Sequence, residues 1–316
     1  ELKAVLTARE SASLREACVP FLNAYRRAWP FDAEPRVREG LQRCLQVLVS
    51  TMQRDFQRHL RSAFPTWLCA MFDTHTEVAQ AARQTFSQSF STDEKRRGVF
   101  RHCQNECLDT LAHNLRHSEQ SLHDELGIPS PQAGDRNTAV ERQDRYVRVI
   151  AASLHGLGEL VHVCSAPPAP GSTASSYEPL SEADIAHLFG NSGAEGGLWH
   201  RLSAKQSPLV RRAATECLIR ILQSPAAKGA DFARSQHRST IINALADEAV
   251  PTALAATLLC SFVEASGPEC WEGLTASKSL WPQLLSAVKR GAREDAAFVD
   301  RLPKLLSALP ESAWGA

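Results

Sequence analysis

The sequence lacks the features that would identify a membrane-spanning, secreted or strongly charged protein. No apolar run approaches the roughly 20 residues that a transmembrane helix needs. Lys plus Arg and Asp plus Glu each number 35, so no overall charge attracts the chain to DNA or to a membrane surface. No secretory signal opens the chain, and its nine cysteines are an odd number. We therefore expect a reducing cytosolic or nuclear setting, with no membrane and no DNA among the partners.

Strand patterns and catalytic motifs are also missing. No alternation of period two persists beyond a few residues, and β-branched residues are sparse, which leaves no credible strand. Residues 190–197 are glycine-rich but follow no strand and contain no Gly-Lys-Ser/Thr, so a loop between helices explains them better than a phosphate cradle. Neither a Gly-x-Ser-x-Gly elbow nor a cysteine-protease motif stands out. The sequence predicts no catalytic residues in this chain.

What the sequence does contain is a recurring helix pattern. A turn proline precedes Val-Arg near residue 35 and again near residue 208, and each begins an apolar stripe at helical spacing. Val37 and Val78 are 41 positions apart, and Val250 follows Val210 by 40 positions. Helix pairs that recur about every 40 to 47 residues are typical of HEAT and armadillo repeats. We therefore predict an all-α fold, an α-solenoid of HEAT/armadillo-like helical repeats.

Two loops interrupt the predicted solenoid. We place N-terminal HEAT-like repeats at residues 1–126, a linker at 127–138, a long helix at 139–166, a Pro/Ser-rich loop at 167–180 and C-terminal HEAT-like repeats at 181–316. The first block includes helices predicted over 56–72, with a kink at Pro65, and over 94–126. The chain begins with Glu and neither end has an obvious cap, so we expect a piece of a longer protein.

A possible metal site lies within the predicted helix over 94–126. The residues that suggest it are Cys103 and Cys107, with His102, His113 and His117 nearby. A single helix seldom supplies a closed zinc site, and ten residues turn Cys103 and His113 to different faces. His113 and His117 have the spacing of the metalloprotease His-Glu-x-x-His motif, but Asn114 stands where the general-base Glu must be. Buried thiols and surface histidines explain the pattern better, so we predict no metal and no cofactor in this chain.

Local charge is less even than the overall balance. Residues 198–240 contain eight basic and two acidic residues, and residues 1–71 contain 11 basic and seven acidic ones. Docking on a phosphate backbone and a solvated helix face would both produce such an excess, and both interpretations stay open. The first makes Arg201, Lys205 and Arg212 candidate partner contacts. Arg38 and Arg211, which follow the valines of the repeat pattern, are expected to pair within the array.

The turn after the predicted helix over 56–72 is a second candidate surface. Trp67, Asp73, Thr74 and His75 lie at this turn, which joins two helices of one repeat. Turns on one edge of a solenoid can contact partners at little structural cost. We take these four residues as candidate partner contacts. Asp73 could equally cap the helix that follows.

Residues 67–86 carry the most specific pattern in the chain. Trp67, Asp73, Thr74 and Thr76, followed by an Ala-rich helix and preceded by Arg-Val-Arg-Glu at 36–39, resemble the N-terminal domain of listerin, the RING-type E3 ubiquitin ligase of ribosome-associated quality control. Residues 207–213 and 270–284 resemble the later family segments S-P-x-V-R-x-A and C-W…K-S…P-x-L. The resemblance covers nearly the whole chain in one collinear order. His75 departs from it, because the family usually has Tyr there.

The resemblance implies a docking role. Listerin binds the large ribosomal subunit that carries a stalled peptidyl-tRNA, together with a NEMF-family partner, and its RING ubiquitinates the nascent chain for degradation in the cytosol. The N-terminal domain is implied to hold the ligase on the ribosome. A ubiquitin-conjugating enzyme and zinc are expected only at the RING, and this chain has no Cys/His zinc array.

One alternative is a HEAT-repeat protein-binding scaffold or transport adaptor unrelated to ribosomes. It predicts salt-insensitive binding of a peptide and no affinity for ribosomes. An enzyme with a hidden site is a further alternative, and it requires a pocket with converging titratable groups.

Overall fold

The structure is a computed structural model that describes residues 11–130, 135–165, 179–181, 183–185, 197–225, 235–266, 268–271, 276–294 and 296–309. The chain divides into two compact units. One contains residues 1–164 and 168–178, and the other contains residues 165–167 and 179–316. Every regular element in the described ranges is helical and none is a strand, which confirms the predicted all-α helical-repeat fold.

The first unit contains eight described α-helices. They are α1 (Ser11–Phe31), α2 (Pro35–Met52), α3 (Leu60–Ala70), α4 (Thr76–Ser89), α5 (Asp93–His102), α6 (Gln104–Arg116), α7 (Glu119–Glu125) and α8 (Arg136–Cys164), with a 3-10 helix at Gln53–His59. α2 packs against α4 and α6 against α8, so that alternate helices lie side by side as in helical repeats. α2 starts as predicted, because Pro35 occupies the first turn and Glu34 accepts a hydrogen bond from the backbone N–H of Arg36.

The second unit repeats this arrangement. Its described helices are α9 (Pro208–Leu222), α10 (Ser235–Ala244), α11 (Thr252–Ala265), α12 (Ala276–Glu294) and α13 (Ala296–Ala308), with 3-10 helices at Leu198–Leu202 and Pro268–Trp271. α9, α11 and α13 pack in sequence, and α10 packs against α12. Ser207 caps α9, since its hydroxyl accepts a hydrogen bond from the backbone N–H of Val210 at 3.3 Å.

An aromatic cluster fills the centre of the first unit. Phe64 contacts the rings of Phe86 and Phe100 at centroid distances of 5.4 and 5.1 Å, and Trp67 meets Phe86 edge to face at 5.5 Å. Edge-to-face and offset pairs add to the burial of these large side chains. The four rings join α3, α4 and α5, and they fix where the turn between α3 and α4 emerges.

α8 is long and apolar enough to span a membrane by length and composition, but 78% of its most apolar window is buried inside the protein. Burial among the other helices accounts for this composition, because a core helix is apolar on all sides. α8 begins at Arg136, three residues inside the predicted linker at 127–138. The predicted loop at 167–180 lies outside the described residues except for its last two positions.

Two predicted helices are divided in the structure. The helix predicted over 56–72 begins as the 3-10 helix Gln53–His59, and only α3 is α-helical there, with Pro65 inside it. The helix predicted over 94–126 is three helices, which break at Cys103 and between Arg116 and Glu119. The second break arises because Ser118 and Ser121 form a capping box that starts α7 in a new direction.

Candidate partner-binding surfaces

The carboxylate of Asp73 stabilises the turn between α3 and α4 from its buried side. This carboxylate accepts hydrogen bonds from the indole N–H of Trp29 at 3.1 Å and from the backbone N–H of His75 at 2.9 Å. Arg38 donates two more, from Nε at 2.9 Å and from Nη2 at 3.1 Å. The Asp73 side chain is fully buried, so these four bonds replace the water that an exposed carboxylate would bind.

Arg38 ties the same turn to the end of α1. Besides its bidentate pair with Asp73, its Nη1 donates to the carbonyl oxygens of Asp32 at 3.0 Å and Ala33 at 2.8 Å. The planar fork of the guanidinium suits this combination, which a lysine could not reproduce. The pairing of Arg38 within the array, expected from the repeat pattern, is confirmed.

Three arginines of α8 bind backbone carbonyls of neighbouring segments, and two of them, Arg145 and Arg148, extend this network. Arg145 and Arg148 donate to backbone carbonyls at the end of α1, including those of Phe31 at 2.7 Å and Asp32 at 3.0 Å. Arg142 donates to the carbonyl of Pro129 at 2.8 Å. Their signal in the sequence is the spacing of the three arginines at intervals of three, which places them on one side of the helix.

Burial governs the charge state of this network. Burial and, to a smaller extent, the nearby charge of Arg38 together lower the pKa of the Arg148 guanidinium to about 9, while Asp73 opposes the shift. Arg148 therefore remains charged near neutral pH and lies 5.6 Å from the centre of the Trp29 ring. The positively charged guanidinium groups of Arg145 and Arg148 therefore lie against the carbonyl oxygens at the C-terminal end of α1. The helix dipole favours cations at this end.

The structure corrects half of the first candidate surface. Trp67 is fully buried and donates its indole N–H to the carbonyl of Ala82 at 3.0 Å, and Asp73 is 6% exposed. Neither side chain is available to a partner, because each is used in the core. Thr74 and His75 are exposed, and His75 contacts Glu77 through Nδ1 at 2.9 Å. The surface at this turn, which we call the tip, consists of Thr74 and His75.

The second unit contains a similar arginine–aspartate ion pair, between Arg211 and Asp247. Arg211 pairs through Nε with Asp247 at 2.7 Å, and its Nη1 donates to the carbonyls of Ala204 and Gln206. Asp247 in turn accepts the backbone N–H of Ala249 at 2.9 Å, as Asp73 accepts that of His75. The expected pairing of Arg211 within the array is therefore confirmed. The second pair is less buried, at 13% and 18% exposure against 4% and 0% for Arg38 and Asp73.

Only some of the basic side chains in residues 198–240 are exposed. Arg201 is 1% exposed, so it is not available as a partner contact and the structure corrects this candidate. Lys205 and Arg212 are exposed, and Arg212 pairs with Glu216 at 3.1 Å one turn further along α9. Arg220 is exposed one turn beyond Glu216. Lys228 and Arg234 lie outside the described residues.

The cysteines and histidines that suggested a possible metal site lie apart in the structure, as buried thiols and surface histidines. Cys103 and Cys107 are fully buried, and burial raises the pKa of the Cys103 thiol to about 12 and that of Cys107 well above its ordinary value. These thiols are not poised to bind a metal or attack a substrate. His113 and His117 instead lie at the surface end of α6, beside Glu125 of α7.

Comparison with known proteins identifies the family. A family model described as the N-terminal domain of the E3 ubiquitin-protein ligase listerin matches residues 1–309. Among curated proteins, listerin of Drosophila melanogaster is 28% identical over 278 residues and listerin of Xenopus tropicalis is 27% identical over 277 residues. Both alignments cover 87% of this chain, and they cover 14% and 15% of the relatives' own length.

Listerin of Mus musculus is 25% identical over 285 residues, which are 89% of this chain and 15% of that relative. No solved structure matches the chain. The family match extends across both compact units and includes the tip and α9. The chain therefore belongs to the family of listerin N-terminal domains.

Proposed function

We propose that this chain is the ribosome-docking domain of an E3 ubiquitin ligase that marks nascent chains stalled on the large ribosomal subunit for degradation. Membership of the listerin family over residues 1–309 supports the proposal. None of the nine cysteines is in a disulfide and eight are buried, which fits side chains that pack the helical core. A ubiquitin-conjugating enzyme would be recruited only through a RING elsewhere in the ligase.

The main structural support for the proposal is the tip, where two exposed residues lie on a turn that is fixed by buried hydrogen bonds. Thr74 and His75 face solvent, while the residue before them accepts four hydrogen bonds in the core. A turn held in this way loses little conformational freedom when a partner binds, so more of the contact energy contributes to affinity. The buried ion pair between Arg38 and Asp73 would hold Thr74 and His75 in one conformation, which suits a preformed contact surface.

Exposed basic residues offer a complementary electrostatic surface. Lys205 lies in the turn before α9. Arg212 and Arg220 follow one side of that helix, with Glu216 midway between them. Each arginine that neutralises a phosphate of ribosomal RNA releases counterions and strengthens binding at low salt. The proposed partners are the large subunit with its stalled peptidyl-tRNA and a NEMF-family protein, in the cytosol.

Co-sedimentation with large ribosomal subunits bearing peptidyl-tRNA tests both surfaces. We expect the double variants Thr74→Ala/His75→Ala and Arg212→Glu/Arg220→Glu each to bind about tenfold more weakly, since central contacts are worth more than about 1 kcal/mol each. The matched control reverses two exposed arginines elsewhere, Arg54→Glu/Arg97→Glu.

Unchanged melting temperatures for all three variants would show that folding is intact. If the control and the α9 variant lost affinity equally, the loss would reflect overall charge and would not support α9 as a specific contact surface. Wild-type affinity in both test variants would contradict the assignment of the two surfaces. Selective binding of a peptide without any ribosome binding would favour the scaffold alternative.

A further inference from the structure

Three ligand-bearing side chains converge at the surface where α6 meets α7. His113 lies in the last turn of α6 and His117 directly follows that helix, and their Nε2 atoms are 3.3 Å from each other. Glu125, at the end of α7, places Oε1 3.0 Å from Nε2 of His113 and Oε2 3.2 Å from Nε2 of His117. The three side chains meet because the capping box at Ser118 starts α7 in a new direction, so that α7 runs back towards α6.

The spacing of these atoms matches what a tetrahedral metal ion requires. Zinc binds histidine nitrogen at about 2.0 to 2.1 Å and carboxylate oxygen at about 2.0 to 2.2 Å, which places neighbouring ligand atoms about 3.3 to 3.5 Å apart. The three observed separations, 3.0, 3.2 and 3.3 Å, fall at or just below that edge length. Only small side-chain adjustments would be needed to admit an ion.

The ring of His117 is already oriented for ligation. Its Nδ1 lies 3.2 Å from the hydroxyl of Ser121, so a proton on Nδ1 can be donated there while Nε2 keeps its lone pair for a metal. Ser121 is itself held by the capping box with Ser118. The side chain of His117 is 11% exposed, whereas those of His113 and Glu125 are about half exposed, so an ion could enter from solvent.

The surroundings favour binding over hydrolysis. His113 and Glu125 line a groove of about 960 Å³ whose other residues come from α1, α3 and α6, so both side chains can be approached from solvent. Arg26, Arg27 and Arg61 also line the groove, and they are balanced by Glu106 and Asp109 together with Glu125. Asn114 donates its amide to Ser153 at 2.9 Å, so no general base stands beside the two histidines at that position.

We propose that His113, His117 and Glu125 form a Zn²⁺-binding site that joins α6 to α7 and leaves a fourth position open to water or another ligand. The set of two imidazoles and one carboxylate is suited to zinc and to other divalent transition metals. The contrasting arrangement is a metal-free cluster, in which a protonated histidine pairs with Glu125. The two arrangements differ in whether the three residues bind an ion together.

Titration of the folded chain with Zn²⁺ by calorimetry tests the proposal, with His117→Ala and Glu125→Gln as variants. We expect one zinc per chain, a loss of more than about 100-fold in affinity for each ligand variant, and a smaller loss of about tenfold for Ser121→Ala, because outer-shell partners are worth about 10- to 100-fold. His162→Ala removes an exposed histidine from α8 and serves as the matched control. It should bind zinc as the wild type does.

Substitution with Co²⁺ gives an independent readout. A four-coordinate site of nitrogen and oxygen ligands produces visible d–d absorption without the near-ultraviolet band of cobalt–thiolate bonds. That spectrum, lost in His117→Ala but retained in His162→Ala, would support the site. Absence of zinc binding, equal zinc affinity in wild type and His117→Ala, or thiolate bands from the nine cysteines would overturn it. Far-ultraviolet circular dichroism of each variant separates loss of ligation from loss of folding.

Discussion

At the residue scale, Asp73 is the position on which the first candidate surface depends. A buried carboxylate is tolerated only when its charge is paired and its oxygens accept hydrogen bonds. Asp73 meets both conditions through Arg38, Trp29 and the backbone of His75. It therefore stabilises the fold directly, and it supports the proposed partner surface indirectly by holding Thr74 and His75 in place.

Replacing Asp73 by Asn should reduce the free energy of unfolding by about 3 to 5 kcal/mol, because the charge of Arg38 then stays buried without its partner. The equivalent change Asp247→Asn should cost less, since that pair retains 13% and 18% exposure. Urea denaturation of both variants measures the difference. Glu39→Gln breaks an exposed pair with Arg43 and is the control, with an expected change below about 1 kcal/mol. Equal costs for Asp73→Asn and Asp247→Asn would contradict this account.

Some residue roles followed from the sequence and others did not. The repeat pattern correctly predicted internal pairing for Arg38 and Arg211, because a residue at a fixed place in each repeat meets the same neighbours. Trp67 and Arg201 were assigned to surfaces although both are buried. Their position near a turn and in a basic stretch did not reveal which side of the backbone their side chains take. That choice depends on contacts with distant residues such as Ala82.

At the element scale, the end of α2 carries local backbone strain. Gln53 follows α2 with φ of 47° and ψ of −113°, and it is the one non-glycine residue with positive φ in the part of the chain that the structure describes. Side chains disfavour this region, at a cost of roughly 1 to 3 kcal/mol. The 3-10 helix Gln53–His59 begins at this residue, so the strain accompanies the change of helix type.

Gln53→Gly should raise the free energy of unfolding by about 0.5 to 1 kcal/mol. Glycine removes the strain but loses more backbone entropy on folding, which offsets part of the gain. Thermal unfolding measures the change. Gln57→Gly, in the same 3-10 helix, is the matched control and should destabilise, because Gln57 has no positive φ to relieve. A lower melting temperature for Gln53→Gly would show that the side chain of Gln53 contributes more than the strain costs.

Helix starts were easier to predict than helix breaks. Proline with a preceding capping residue marked the starts of α2 and α9, since these signals act within one turn. The division of residues 94–126 into α5, α6 and α7 was not predicted, because the apolar spacing runs through both breaks. The same error concealed the approach of Glu125 to His113 and His117, which a single straight helix would not allow. A serine pair spaced like a capping box, Ser118 and Ser121, was the available signal.

At the scale of the whole molecule, the cysteines couple stability to alkaline pH. Burial raises the pKa of Cys69, Cys103 and Cys164 to about 12 in the folded chain, against an ordinary value of 9.0. The hydrogen bond between Cys69 and Ser153 opposes the rise in the pKa of Cys69. The folded state therefore keeps these protons at pH values where the unfolded chain loses them.

The sign of the resulting pH dependence follows from linkage. Stability contributed by the neutral thiols is complete below about pH 9 and is lost as the pH rises towards 12. We expect the free energy of unfolding, measured with urea under reducing conditions, to fall steadily over this interval. The buried hydroxyl of Tyr25, whose pKa is also raised by burial, should act in the same direction. Cys69→Ala should make the fall less steep, and an unchanged slope in that variant would contradict the role of this thiol.

The family and the helical-repeat class were accessible from the sequence because both depend on patterns that extend over the whole chain. The pairing of particular side chains was less accessible, because Arg148 and Trp29 are 119 positions apart and meet only in the folded unit. The two remaining candidate surfaces, the tip and the exposed side of α9, required both kinds of information. Sequence indicated the region, and burial reduced seven candidate residues to Thr74, His75, Lys205 and Arg212.

The measurement that tests the central claim most directly is sedimentation of this chain with large ribosomal subunits across a salt series. Subunits that carry a tRNA-linked chain are compared with empty ones, in the presence of a NEMF-family protein. The account predicts stronger binding to the loaded subunits and an affinity that falls linearly with salt on logarithmic axes, with a slope about one unit smaller in Arg212→Ala. Absence of co-sedimentation at low salt, or equal and salt-insensitive binding to both kinds of subunit, would contradict the docking role.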